Sequence, residues 1–310
     1  MLDLRRMMLL SDLADLGTVT AVAERRCITS SAVSQQLRVL EKETGAILFR
    51  RDGRTLTLTR SGHVLVEHVR RVLGAVDEAL SAVAATRGSV AGQIAVASFN
   101  MGVSMLAAPT IQQLRIAEPD LQIHLQQAPS QAGVRLLRQG EVDIAITCRY
   151  DFDADDPWSG LAGDPLLHEP LVLMAPSHLH LRIRGRGLSA LAGESWVTGP
   201  RDSRLDTAVE RAGKSAGFIP EIKHRVIGAQ NICDLAATEV GAAIVPRLSV
   251  PAHLEGLIVD GLHLGVRTIS AVVREGRQRD PNIATILRTL RTIAAEIAPA
   301  PRADRLSIAS

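Results

Sequence analysis

The sequence predicts an α/β protein that opens with a winged helix-turn-helix, runs on through one long linker helix, and ends in two α/β subdomains. Three observations carry that expectation. Residues 18–60 read as a helix, a tight turn, a second helix and a basic two-stranded hairpin. Residues 63–87 hold an apolar repeat of helical period with no Pro. From Gln93 onward, short apolar strands alternate with helices, the pattern of a parallel sheet under covering helices.

The first element is an amphipathic helix, with Leu4, Met8, Leu13 and Leu16 expected inward. Arg5 and Arg6 precede an apolar run, but Asp12 and Asp15 interrupt it too early for a signal-peptide core. Thr18 is positioned to cap the second helix, which carries Ala21, Val22, Ala23 and Glu24. Arg26-Cys27-Ile28-Thr29 forms the turn, with Ile28 expected to plug it and Ser30 or Ser31 to cap the third helix. Val33, Leu37 and Leu40 recur four and three residues apart and so share a buried face. That spacing turns Ser30, Ser31, Ser34, Gln35 and Arg38 outward. Hydroxyls, an amide and a guanidinium are the groups that read base edges and hold phosphates.

Asp52-Gly53 signals a hairpin between Leu48-Phe49-Arg50 and the run from Leu56 to Thr59, and Arg50, Arg51, Arg54 and Arg60 crowd it. A helix in the major groove beside a basic wing on phosphate is a recurring DNA-binding arrangement. An ordinary packing module would use the same caps. The turn, the polar outer face and the basic hairpin together favour double-stranded DNA as the partner. Residues 1–60 carry ten Lys and Arg against seven Asp and Glu. The whole chain is only +2, so DNA binding must come from a local patch.

At these residues the chain resembles the LysR-type transcriptional regulators. Ala23-Glu24, Ser30 to Gln36, Leu40-Glu41, Gly45, Leu48-Phe49, Arg50 and Leu58-Thr59-Arg60-Ser61-Gly62 match that family's pattern. Arg26 stands where the family usually has an apolar residue, Ser30-Ser31 replaces a usual Gln-Pro, and Val19 replaces a common Phe. The resemblance implies a DNA-binding regulator modulated by a small-molecule effector, with dimers assembling into tetramers on promoter DNA. It also implies a periplasmic-binding-protein-like effector domain that the chain crosses twice. The boundaries expected are 1–60 for the DNA-binding domain and 61–90 for the linker helix. Residues 91–164 with 267–300 form subdomain I, 165–266 subdomain II and 301–310 a tail. The run from Val240 to Pro246 is similar to a glycine-containing turn of the family, with Ala242-Ala243 in place of its second glycine.

In the linker helix, Leu65, Val69, Val72, Val76, Ala79 and Val83 alternate four and three apart, the 3.5-residue repeat of a two-helix dimer seam. Beyond it, strands are expected at 94–97, 121–125, 142–147, 171–174, 196–197, 222–226, 242–245 and 267–274. Helices are expected at 102–117, 131–139, 203–214, 230–238 and 281–298, with a loop over 151–165. Two α/β units in sequence predict a ligand cleft between them. Ser98, Asn100, Ser130, Thr147, Arg149, Thr198, Arg201 and Gln230 fall just past strand ends or at helix starts. There free backbone NH groups and a positive dipole end suit an anion, and Arg149 and Arg201 suit a carboxylate. Serines and threonines also cap helices with no ligand present. The resemblance implies that Ser98, Ser130 and Thr198 line the effector pocket.

Composition excludes other classes. Aromatic residues make up 2% of the 310-residue chain, too few for a stacking platform on single-stranded nucleic acid. Cys27, Cys148 and Cys233 are an odd, scattered set without a CxxC, read as free thiols in a reducing cytoplasm. No apolar stretch reaches membrane-spanning length, so a soluble cytoplasmic protein is expected. The alternative is a hydrolase or transferase with an appended helical dimerisation region. Its only support is the Gly213 to Gly217 stretch, which fits G-x-S-x-G, but the residues before Ser215 are helical where a nucleophile elbow needs a strand. Gly213 and Gly217 are read instead as helix-ending residues. His178 and His180 are read as loop histidines, and no catalytic residue, metal or cofactor is expected.

Overall fold

The computed structural model describes residues 2–52, 55–86, 90–153, 158 and 160–298. The chain divides into two compact units. Unit 1 is Met1–Thr147, Asp156–Asp164 and Ala271–Ile293; unit 2 is Cys148–Asp155, Pro165–Ser270 and Ala294–Ser310.

Unit 1 starts with α1 (Leu4–Leu16), α2 (Val19–Arg26), α3 (Ser30–Thr44) and the antiparallel pair β1 (Phe49–Asp52) and β2 (Thr55–Leu58). Thr18 caps α2 as its sequence position requires, its Oγ1 accepting from the Ala21 amide at 3.2 Å. The cap of α3 is Thr29 rather than Ser30 or Ser31; its Oγ1 accepts from the Ala32 amide. Ile28 does not plug the turn but stands 42% exposed. The turn is held instead by a buried carboxylate: Asp12 accepts from Arg26 Nε at 2.5 Å and lies 3.5 Å from Arg25 Nε. Arg26, the departure from the apolar family pattern, is thereby accounted for.

Val33, Leu37 and Leu40 are buried among Met7, Leu10, Leu13, Val22 and Leu48. Each such side chain contributes about 1.5–3 kcal/mol of burial. The inward face of α1 is set by Met7, Leu10 and Leu13; Leu4 is exposed and Met8 half-buried, so the expected face is rotated. Asp12 is buried on that face. The hairpin is fastened to α3 by Glu41, whose Oε1 accepts from the Leu48 and Phe49 amides at 2.8 and 3.2 Å.

α4 (Arg60–Ala85) begins at Thr59, whose Oγ1 donates to Ile47 O and accepts from the Gly62 amide. A Cβ at Gly62 would collide with the Leu48 carbonyl oxygen, which explains glycine there. The near half of α4 packs on its own module: Val66 and Val69 are buried and Leu65 and Leu73 half-buried in the same core. Val72, Val76, Leu80 and Val83 are exposed, and so is Ala79.

The rest of unit 1 is a sheet under helices. The strands β3 (Gly92–Ser98), β4 (Leu121–Gln127) and β5 (Ile144–Tyr150) run parallel, and the order is β11-β5-β3-β4, where β11 is Val266–Arg274. The expected 102–117 helix is three pieces in succession: α5 (Asn100–Gly102), a π-turn (Val103–Ala107) and α6 (Ala108–Ala117). α7 (Ser130–Gln139) follows β4, and α11 (Pro281–Ile297) closes the chain's described part. Ala97, Leu137, Val142, Ala145 and Val272 form the centre of this layer.

In unit 2, β6 (Leu161–Met174) lies between β11 and the antiparallel strands β9 (Ala243–Pro246) and β10 (Ile258–Val259). β7 (Ser195–Thr198) pairs in parallel with β8 (Glu221–Arg225). The helices are α8 (His180–Arg186), α9 (Arg204–Ser215) and α10 (Ala229–Ala236). Trp196, fully buried, stacks on Phe218 and centres the core with Leu191, Val209 and Ile244. Two expectations are corrected here. β6 begins ten residues before the strand read at 171–174, inside what read as a loop. Gly213 lies within α9 against Pro220, and Gly217 alone, at φ +78°, follows the helix end.

β6 and β11 each run from one unit into the other. Glu169 on β6 and Arg267 on β11 are both buried, Arg267 Nε donating to Glu169 Oε1 at 2.8 Å while Oε2 accepts from the Leu248 amide. Burial and neighbouring negative groups push the Tyr150 hydroxyl well above the usual phenol range, against the lowering effect of Arg267. Burial disfavours the Arg267 charge, but Tyr150 and Glu169 outweigh it, so the guanidinium stays charged.

A buried pair stripped of one charge leaves the other uncompensated. Glu169→Gln is therefore expected to destabilise the protein by about 3–5 kcal/mol in urea unfolding. A loss under about 1 kcal/mol would show that Arg267 reaches water.

Candidate functional site

The outward side of α3 is the first candidate. Ser30, Ser31, Gln35 and Arg38 are exposed and Ser34 is half-buried. Ser31 Oγ lies 2.9 Å from Thr29 Oγ1, and Gln35 and Arg38 make no hydrogen bond or ion pair with the described residues. Gln36, on the flank, is committed to Arg6, which also pairs with Glu43. On the wing, Arg50 is exposed, its Nε only 3.4 Å from Thr57 Oγ1. The Arg51 side chain and the whole of Arg54 lie outside the described residues. Unmatched donors on one helix face and beside it present hydrogen-bonding capacity to a partner outside the fold.

The residues of α4 expected at a dimer seam separate into two groups. Leu65 and Val69 are engaged in the core of the winged module; Val72, Val76, Ala79 and Val83 share the open side. Leu80, 61% exposed, belongs with the open set and was not singled out in the sequence. Its signal was present, since it follows Val76 by four residues.

The effector candidates also divide by unit. In unit 1, β3, β4 and β5 are parallel, so their C-terminal ends share one edge. Ser98 ends β3 there, its register partner on β5 is Ile146, and Thr147 comes next. Ser98 is buried, its hydroxyl donating to Phe99 O beneath Gly102. Thr147 is buried, Ser130 half-buried at the first residue of α7, and Asn100 exposed at the start of α5.

In unit 2, Thr198 ends β7 completely buried, and its Oγ1 has no hydrogen-bond partner among the described residues. Beside it, Arg225 on β8 donates to Gly199 O and pairs with Asp206 at 2.7 Å. Asp206 also accepts from the Asp202 amide, Asp202 being in the left-handed region at φ +62°. Arg225 and Asp206 were not among the sequence candidates. The i, i+3 position of Asp206 behind the capping Ser203 was the available signal. Arg201 is exposed, and Gln230 turns its amide to Asp234 on its own helix. Arg149 is half-buried.

Other chemistry has little footing. Ser215 Oγ donates to Ala212 O, the bond of a helix end. His180 Nε2 lies 2.9 Å from Ala175 O, at the start of α8 and not in a loop. No group of three His, Cys, Asp or Glu side chains able to hold a metal ion exists among the described residues. Cys27 is exposed, Cys148 half-buried and Cys233 buried, none of them in a disulfide among the described residues; burial pushes the Cys233 thiol up to about 12. No helix among the described residues is long and apolar enough to cross a membrane.

Comparison with known proteins matches two family models to the chain. Residues 4–63 match the model of the bacterial regulatory helix-turn-helix proteins of the lysR family. Residues 87–295 match the LysR substrate binding domain. The HTH-type transcriptional regulator ClcR of Pseudomonas putida is 28% identical over 79% of this chain and 83% of its own length. The regulator CbbR of Rhodospirillum rubrum is 25% identical over 94% of this chain and 96% of its own. Among solved structures, ArgP from Mycobacterium tuberculosis superposes with a TM-score of 0.59 at 22% identity, covering 96% of this chain and 99% of that one. A full-length OxyR from Pseudomonas aeruginosa gives 0.58 at 19% identity, covering 94% and 95%. These structures share the fold. With both family models matched across the winged module and the α/β region, the chain belongs to the LysR family: it is a DNA-binding transcriptional regulator with an effector-binding domain.

Proposed function

We propose that α3 reads operator bases through Ser30, Ser31, Ser34, Gln35 and Arg38, while Arg50, Arg51 and Arg54 hold phosphate. The observation that carries this reading is the exposed pair Gln35 and Arg38, unmatched by any described residue on the face opposite the buried Val33, Leu37 and Leu40. An amide pairs with adenine and a guanidinium with guanine. Arg50, on the wing, is a sequence-independent contact.

Self-association completes the reading. The exposed Val72, Val76, Leu80 and Val83 form an apolar stripe on a 26-residue helix, and a second copy of that helix covers it best. Dimers, paired further into tetramers, then present two winged modules to two half-sites. The effector-binding candidates fall in both subdomains, 91–164 with 267–300 and 165–266. Ser98, Asn100, Ser130, Thr147 and Arg149 serve from the first, and Thr198, Arg201 and Gln230 from the second. Helix starts and guanidinium groups favour a small anionic metabolite, a carboxylate. The work is cytoplasmic and regulatory, with no catalytic step assigned to the chain.

Three outcomes test this. Gln35→Ala should lower discrimination between a selected operator and random duplex by about 1–3 kcal/mol, while Arg50→Ala weakens both alike and reduces the salt slope by about one. Equal loss of specificity in the two variants would refute the division. Val76→Asp buries a carboxylate without a partner in the proposed seam. It should shift the folded protein to a smaller mass by light scattering, and an unchanged mass would place the stripe elsewhere. Thr198→Val removes a buried hydroxyl that has no hydrogen-bond partner among the described residues, a near-neutral change for stability. In a thermal-shift screen of small carboxylic acids, any acid that raises the wild-type Tm should raise the variant's far less. Equal shifts would remove Thr198 from the site.

A further inference from the structure

The C-terminal end of α7 is tied to three other parts of unit 1 at once. Just past that end, Glu141 Oε1 accepts from Arg25 Nη1 at 3.2 Å. Arg25 also lies against Asp12, which in turn holds Arg26, the last residue of α2 before the turn into α3. Arg138, in the last turn of α7, acts on Asp15 of α1, which Arg70 of α4 grips at 2.7 Å. Arg274 of β11 donates to the Leu137 and Val142 carbonyl oxygens, closing the end of α7, and pairs with Asp77 of α4 at 2.8 Å.

The same region of α4 meets the turn after β11. A Cβ at Gly276 would collide with Gly74 O and crowd Glu78, and Arg279 pairs with Glu78 at 2.7 Å. The other end of α7 is Ser130, at the sheet edge that carries Ser98 and Thr147. A ten-residue helix spans about 15 Å.

We infer that this end of α7 is an ionic junction that sets the direction of the DNA-reading module against the effector-binding region, with Glu141 and Arg274 as positioning residues. The inference rests on the paired half-site reading above. A module held at a fixed direction places α3 at one spacing from its partner copy. A module released from Glu141 keeps its own fold, because Asp12, Arg25 and Arg26 remain together, but loses that fixed direction. The Arg25–Glu141 bond is half open to water, since the Glu141 side chain is 53% exposed, so salt weakens it.

Glu141→Gln removes the charge without adding a cation near DNA, and Glu141→Asp keeps it. The full chain first selects an operator from a random duplex pool. Binding is then measured to one half-site and to paired half-sites with the spacer lengthened by one to several base pairs. Glu141→Gln should leave half-site affinity unchanged and reduce the penalty for wrong spacing by about two- to fivefold. Glu141→Asp should retain most of the wild-type profile, and high salt should bring the wild type toward the Gln variant. An independent arm needs no DNA: amide exchange at Arg25–Ile28 in the free chain should quicken by about two- to fivefold in Glu141→Gln. Unchanged exchange together with an unchanged spacing profile overturns the junction. Faster exchange with a flat wild-type spacing profile upholds the junction and overturns the half-site reading instead.

Discussion

Asp12 puts a carboxylate into the interior of the winged module, where a charge must be matched. Much of the module's geometry follows from how it is matched. Arg26 and Arg25 close on it from the end of α2, and this fixes where α2 stops. The chain then turns through Cys27 in the left-handed region, at φ +53°, and Thr29 starts α3. An apolar plug would have held the same turn by shape alone. A charged one holds it by direction as well, because Arg26 Nε can meet the carboxylate only along its own N–H. The exposure of Ile28 is the other side of that exchange, since an apolar residue is no longer needed beneath the turn.

Where the physics is local, the sequence was legible. Caps, hairpin residues and the four-and-three spacing of Val33, Leu37 and Leu40 act within a few residues, and the turn, the wing and the buried face of α3 could be read from them. One local signal was misread, Thr29 capping α3 where Ser30 or Ser31 was expected; most other misreadings come from contacts between distant residues. The inward face of α1 was read through Leu4, Met8, Leu13 and Leu16, whereas Asp12 is buried against Arg25 and Arg26 of the next helix and Met7, Leu10 and Leu13 turn inward with it. β6 was hidden because its first half holds Gly163, Asp164 and Pro165 with no polar–apolar alternation, and pairing with β11 makes it a strand all the same. The short helical stretch from Ser177 to Leu191, with Gly185 and Gly187 in it, had no period long enough to detect.

The candidate effector residues show the same limit. Ser98 and Thr147 come to one edge because parallel strands align their ends, which alternation of strands and helices was enough to predict. Arg225 and Asp206 come together beside Thr198 through the β7–β8 pairing, and no spacing along the chain announces that. Gln230 and Asp234 are an i, i+4 pair on one helix, so a local bond competes for the amide that seemed available.

β6 and β11 pass from one unit into the other as unbroken backbone, so neither unit is a single stretch of gene. A fragment ended between them would leave β6 without β11 on one side and expose a row of unpaired amides and carbonyls, the kind of edge that aggregates. Deletion analysis of this protein therefore has few clean cuts. Truncation anywhere from Leu161 to Arg274 divides that sheet. For anyone dividing the gene to study ligand and DNA separately, the shared strands mean that the α/β region must be kept whole.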